Sequence, residues 1–211
     1  MSLEVELKYP VADFASVRTA LAGVGAKRLG LVFERNDVFD SAGQGRLREA
    51  GILLRLRLTI PKRTEADQVE DRGGVLTLKL PPPPDAPRGF KVRREIETRV
   101  DDVQALRDIL IGLGYVVTLR YEKVRETWRI GRTVVCLDRL PFGRYVEIEG
   151  TPDAIRSLAE RLGLSPASAS TATYHDLHLE NLDRLGLPHE DSFIFDTVTA
   201  ARLAKSPSLD K

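Results

Sequence analysis

Two short runs of the chain place carboxylates two residues apart. They are Glu4-Val5-Glu6-Leu7-Lys8 near the beginning and Glu147-Ile148-Glu149 about 140 positions later. On a strand, a period of two points both members of a pair to one side. Clustered carboxylate oxygens suit hard divalent cations such as Mg²⁺ or Mn²⁺. Cations are spaced in the same way in Arg55-Leu56-Arg57 and Lys123-Val124-Arg125, with Lys8, Lys79 and Arg93 on further runs. Arginine offers phosphate oxygens paired hydrogen bonds, and lysine adds point charge. A basic wall beside an acidic wall is what a metal–polyphosphate complex demands. Phosphoryl chemistry then needs mainly positioning and charge stabilisation.

The elements that must position these residues are strands. Leu3, Val5 and Leu7 alternate with Glu4, Glu6 and Lys8. The same alternation returns over Ile52–Ile60, Val75–Leu80 and Phe90–Val100, then over Tyr115–Ile130, Thr133–Leu140 and Arg144–Glu149. A further strand region covers about Lys27–Asp40. Helical spacing of apolar residues follows a cap at Asp13 (Phe14, Val17, Leu21), follows Asp101 or Asp102 (Val103, Leu106, Ile109, Leu110), runs from about Pro152 to Leu162 behind a Thr151 cap, and runs from about Thr171 to Leu185. Ser41–Gly51 and Pro61–Gly74 read as turns and exposed loop, and Pro81–Pro84 with Pro87 cannot pair in a sheet. Residues 1–185 form the expected domain. Residues 186–211 form a tail with a short helix near Val198–Leu203 and frayed last residues.

On strand after strand one face is Leu, Val and Ile, and the other is charged. A solvated outer surface is the usual fate of such a face. Here the charges come in blocks of one type, Glu-x-Glu and Arg-x-Arg, and the helices offer apolar stripes that can cover the Leu/Val/Ile side. The charged face is then the inside of a barrel. The fold expected is α+β: an eight-stranded antiparallel barrel with helices packed on its outside.

Glu4-Val5-Glu6-Leu7-Lys8 resembles the ExExK signature of the CYTH superfamily, the triphosphate tunnel metalloenzymes. Six further blocks follow in the family's order: Leu54-Arg55-Leu56-Arg57, Leu76-Thr77-Leu78-Lys79, Arg93-Arg94-Glu95-Ile96-Glu97, Lys123-Val124-Arg125, Asp138 and Glu147-Ile148-Glu149. The resemblance covers about residues 3–150, with an echo at Ser170–Leu177. It implies an eight-stranded tunnel holding a triphosphate and divalent metal. Glu4, Glu6, Asp138, Glu147 and Glu149 resemble the metal ligands. Lys8, Arg55, Arg57, Lys79, Arg93, Lys123 and Arg125 resemble the phosphate ligands. Glu4, Glu6, Lys8 and Lys79 are the expected catalytic residues. Many relatives carry a tyrosine before the Phe-Asp pair of the second strand, where this chain has Val38. That leaves a metal-bound or lysine-assisted water as the expected nucleophile. Three functions stay open: hydrolysis of an inorganic, nucleoside or thiamine triphosphate, cyclisation of ATP to cyclic AMP and pyrophosphate, and non-catalytic polyphosphate binding.

Composition removes other classes. Lys plus Arg (32) balance Asp plus Glu (31), so no global field draws the chain to nucleic acid or a membrane. A single cysteine, Cys136, rules out an intramolecular disulfide and reads as a small strand residue. The charged N-terminus lacks the apolar run of a signal peptide, and no run reaches membrane-spanning length, so a cytoplasmic protein is expected. The partner expected is a small-molecule triphosphate. The tail could fold over a tunnel mouth or mediate a homodimer. His175 and His178 read as packed or surface residues, and Trp128 as packed beneath a helix.

Overall fold

The computed structural model describes residues 2–43, 45–61 and 73–210. Eight strands account for most of the chain: β1 (Ser2–Pro10), β2 (Lys27–Ser41), β3 (Leu53–Pro61), β4 (Gly74–Leu80), β5 (Lys91–Val100), β6 (Tyr115–Ile130), β7 (Thr133–Leu140) and β8 (Gly143–Glu149). They close into one barrel in the order β1-β5-β4-β3-β2-β6-β7-β8, with every neighbouring pair antiparallel. The helices are α1 (Ala15–Gly23), α2 (Arg46–Glu49), α3 (Val103–Gly112), α4 (Pro152–Arg161), α5 (Tyr174–Leu185) and α6 (Thr197–Lys205). Of the expected loop between β3 and β4, residues 62–72 lie outside the described residues.

The apolar core lies outside the barrel. Val5, Leu7, Val135, Leu137, Val146 and Ile148 turn outward and are buried with Val17 and Leu21 of α1, Ile155 and Leu158 of α4, and Ala200 and Leu203 of α6. Each such side chain, fully buried, contributes about 1.5–3 kcal/mol. A second cluster seats Leu106 and Leu110 of α3 against Phe39, Leu56 and Val117. Gly74 is required there, because a Cβ would collide with Val103 of α3.

Alternation then forces the charged side chains inward. Glu6 is 2% exposed, Lys8 1%, Asp138 0% and Glu147 4%, which decides against a solvated face. Two helix caps follow the sequence: the Asp102 carboxylate accepts from the Ala105 amide at 2.8 Å, and the Thr151 hydroxyl from Ala154 at 3.4 Å. The cap expected at Asp13 is corrected: the N-cap of α1 is Phe14, and Asp13 accepts from the Ala15 amide at 2.8 Å, one residue too early to cap the helix. Two further expectations need correction. Ser41–Gly51 contains α2, because the buried Asp40 carboxylate accepts from the amides of Ser41, Leu47 and Arg48 at 2.6–3.0 Å and so anchors that turn. The chain end is not frayed: Leu209 is 1% exposed in the main core, the Ser208 carbonyl accepts from Arg139, and Asp210 pairs with Arg18. Among the described residues no helix is long and apolar enough to cross a membrane.

Candidate active site

Strand register decides which charges meet. Glu6 of β1 stands opposite Glu149 of β8 on one side and Lys91 of β5 on the other, and Lys8 stands opposite Glu147. Glu4, Glu6 and Glu149 bring carboxylate oxygens within 4.8 Å of one another. Across the barrel, Arg57 pairs with Asn36, Lys123 with Glu34, and Arg125 with Asp138. Of these residues all but Asn36, Glu34 and Asp138 line one cavity of about 620 Å³, within the usual range for small-molecule sites.

The lumen has an acidic side and a basic side, joined by ion pairs. Lys8 bridges Glu6 and Glu147, the latter at 3.1 Å. Lys79 lies 2.7 Å from Glu4 and 2.5 Å from Glu95, and Lys91 donates to Glu6 at 2.7 Å. On the basic side, Arg57 lies 3.3 Å from Glu34, and Arg125 reaches both Asp138 (2.5 Å) and Glu147 (2.7 Å). Asp138 has four donors: Lys123, Nε and Nη2 of Arg125, and the Tyr174 hydroxyl at 2.7 Å. Tyr174, at the start of α5, lies between two ammonium groups, Lys8 Nζ at 5.1 Å and Lys123 Nζ at 5.3 Å from its ring centre.

These surroundings set the ionisation. Burial pushes the Glu149 carboxyl up, Glu147, Glu4 and Glu6 add repulsion that outweighs Arg125, and it reaches about 8. Burial and Glu6 likewise raise Glu4 despite Lys79. Burial and Glu147 would also raise Glu6, but Lys8, Lys91 and Lys79 hold it down at about 2. Burial acts to raise Glu147 too, yet Lys8, Arg125 and Lys123 carry it well below the carboxylate range. Lys8 moves up against its burial because Glu147 and Glu6 stabilise the ammonium form.

The donor chemistry fits a hard divalent cation at Glu4, Glu6 and Glu149. All three offer oxygen, and Glu149 makes no hydrogen bond or ion pair among the described residues. A cation there would relieve the repulsion that keeps Glu149 protonated. A second group, Cys136 with Glu147 and Glu149, also converges, although burial holds the Cys136 thiol well above its usual range.

Of the residues proposed from sequence, Glu4, Glu6, Lys8, Arg55, Arg57, Lys79, Arg93, Lys123, Arg125, Glu147 and Glu149 all line the cavity. Asp138 does not stand with the other carboxylates. Both its oxygens accept from Lys123 and Arg125, so it lies outside the two converging groups of metal candidates. Sequence reasoning left out Lys91, which shares the parity of Arg93. It also left out Glu34 and Asn36, disguised because Arg35 and Asp37 make the opposite face of β2 equally polar. Tyr121 lines the cavity with the parity of Lys123 and Arg125, which it flanks, and Phe193 lines it with no mark in its local sequence. His175 pairs with Asp191 at 2.8 Å, His178 meets the Glu190 carbonyl at 2.9 Å, and Trp128 packs in the outer core, as expected.

Fold and site together define a closed barrel with a charged lumen lined by both acidic and basic side chains. The chain belongs to the CYTH domain family, whose model matches residues 2–174. Solved structures agree on the fold. A proposed adenylate cyclase from Vibrio parahaemolyticus superposes with a TM-score of 0.67 at 21% identity, over 84% of this chain and 98% of that one. The PH1819 protein of Pyrococcus horikoshii gives 0.63 at 22% identity, over 84% and 98%. A proposed adenylyl cyclase from Hippeastrum, described as having a dominant triphosphatase activity, gives 0.56 at 18% identity, over 90% and 99%. A comparison with curated protein sequences found no match.

Proposed function

We propose that the protein hydrolyses a triphosphate, inorganic or organic, with Mg²⁺ or Mn²⁺ as the divalent ion. The observation that carries this reading is the apposition, in one cavity, of the Arg55/Arg57/Lys123/Arg125 wall with the Glu4/Glu6/Glu149 group. Arginines 55, 57 and 125 would take phosphate oxygens with paired N–H donors, and Lys123 would add charge. Asp138 would act as a positioning residue, holding Lys123 and Arg125 toward the lumen. Lys8 and Lys79, shared between the walls, would exchange their carboxylate partners for phosphate oxygens when substrate enters. Glu4, Glu6 and Glu149, with Glu147 beside them, would hold the divalent ion, which supplies charge neutralisation at the phosphate oxygens. Tyr174 and the start of α5 would screen the phosphates from water.

The description of the Hippeastrum neighbour, a cyclase by proposal with dominant triphosphatase activity, supports hydrolysis ahead of cyclisation for the same architecture. The test is product analysis with ATP and with tripolyphosphate in Mg²⁺ or Mn²⁺. Orthophosphate is expected. Cyclic AMP with pyrophosphate would replace this reading with cyclisation, and binding without turnover would replace it with a sensor.

A further inference from the structure

Residues 191–195 lie beyond the family match, yet they run along β6: Asp191 and Phe193 line the cavity, and Phe195 packs in the outer core. The Phe193 amide donates to the Arg120 carbonyl at 3.0 Å, and the Glu122 amide donates to the Phe193 carbonyl at 3.1 Å. The Arg120 amide donates to Ser192 Oγ at 3.0 Å, and the Phe195 amide donates to the Glu122 carboxylate at 3.2 Å. The residue clamped between these contacts is Tyr121. Its ring stacks on Phe193 with centroids 5.1 Å apart and planes 24° apart, and its hydroxyl accepts from Arg55 Nη1 at 3.1 Å. The strap thus holds the ring and the flanking backbone, β3 holds the hydroxyl through Arg55, and the hydroxyl faces the lumen beside the proposed phosphate-binding cations.

Resting on the triphosphatase reading, we propose that Tyr121 is the catalytic base that takes the proton from the attacking water, and that the C-terminal strap positions it. Tyr121 stands opposite Asn36 of β2, two residues from Val38, so a phenol enters this part of the lumen from β6. The other candidates are engaged. Lys8 is held as an ammonium by Glu6 and Glu147, Lys79 lies between Glu4 and Glu95, and Lys91 donates to Glu6. Tyr174 donates its own proton to Asp138. The groups that act on the Tyr121 phenol are Arg55 and Arg57 of β3 and Lys123 of β6; Glu34 of β2 pairs with Arg57 and Lys123, and the His175–Asp191 pair of α5 and the strap lines the same cavity. Burial pushes its phenol up, but Arg55, Arg57 and Lys123 together bring it down to about 8. A base in that range operates near neutrality.

In the step, a water lone pair forms the new bond to the terminal phosphorus while its proton passes to the Tyr121 oxygen. The bond from that phosphorus to its bridging oxygen breaks, and the electron pair leaves with the diphosphate end. No oxidant or reductant is required.

Tyr121→Phe keeps the ring and its stack on Phe193 and removes only the oxygen. With tripolyphosphate and Mg²⁺, kcat is expected to fall about a hundredfold, at the low end of general-base effects, with the calorimetric Kd for metal-free tripolyphosphate changed less than threefold. In the wild type kcat/KM should rise with pH through about 8, and that limb should be absent from the variant. Phe193→Leu, which loosens the ring without removing the hydroxyl, should lower kcat about tenfold and keep the limb. Full kcat in Tyr121→Phe, or an unchanged pH limb, overturns the proposal and leaves the triphosphatase reading standing. A wild type that binds tripolyphosphate without turning it over overturns both.

Discussion

Two carboxylates of the same lumen ionise at opposite extremes. Glu34, buried on the basic side, is pushed up by burial but carried down to about 2 by Arg57, Lys123, Arg125 and Arg55. Glu149, on the acidic side, is pushed up by burial and by Glu147 to about 8. Both feel desolvation, so burial does not separate them; the sign of their neighbours does. Glu34 is balanced by the protein's own cations. Glu149 has carboxylates across from it, which hold it in the protonated form. On the proposed function, the first arrangement is finished by folding and the second by binding a divalent cation.

The largest effect that can test this contrast is on turnover. Glu149→Gln keeps the shape and removes the charge, and it is expected to lower kcat at least a thousandfold, about 4 kcal/mol of barrier. The protein should keep its circular dichroism spectrum and lose its dependence on Mg²⁺ or Mn²⁺. Wild-type turnover with wild-type metal dependence in that variant would remove Glu149 from the cation group. The opposing substitution belongs to the basic side. Arg57→Ala should weaken tripolyphosphate binding by about 1.5–3 kcal/mol, the scale of a hydrogen bond to a charged group. Calorimetry decides it, and unchanged affinity would take Arg57 out of the site.

How far the sequence carries the reader differs between these two sides as well. The strand runs at Tyr115–Ile130 and Thr133–Leu140 match the structure at both ends, because alternation persists along both and Gly131 marks the turn between. The acidic side was legible for the same reason, since Glu4, Glu6, Glu147 and Glu149 alternate with residues that helices must cover. Glu34 was not, because both faces of β2 are polar there. Its outer Arg35 pairs with Glu122, and its outer Asp37 pairs with Arg107 and Arg120. Periodicity cannot choose a face when burial on the outside is also achieved by ion pairs. Tyr121 was legible as a lumen residue, because it shares the parity of Lys123 and Arg125, but Phe193 was not. Their stack joins positions 72 residues apart, and neither local pattern nor spacing encodes that contact.

The smallest effects, and the sharpest discrimination, lie in the pH dependence of stability without metal. Glu34 has a folded value near 2, below the ordinary 4.5, so between those limits the unfolded chain binds more protons than the folded one. Its contribution is present above about pH 4.5 and is lost as pH falls toward 2. Glu149 has a folded value near 8, above 4.5, so the folded chain binds more protons across that window. Stability therefore declines as pH rises from about 4.5 through 8. The two carboxylates give slopes of opposite sign in windows that meet near pH 4.5. Glu34→Gln should flatten the acid limb, and Glu149→Gln should flatten the alkaline one, leaving that variant more stable than the wild type at pH 8. Each change is on the order of 1–3 kcal/mol, because neighbouring carboxylates share the proton within the acidic group. Urea melts at pH 3, 5 and 8 with chelator present measure both. A Glu149→Gln protein no more stable than the wild type at pH 8 would mean that repulsion in the acidic group is relieved by the protein itself, and the contrast with Glu34 would collapse.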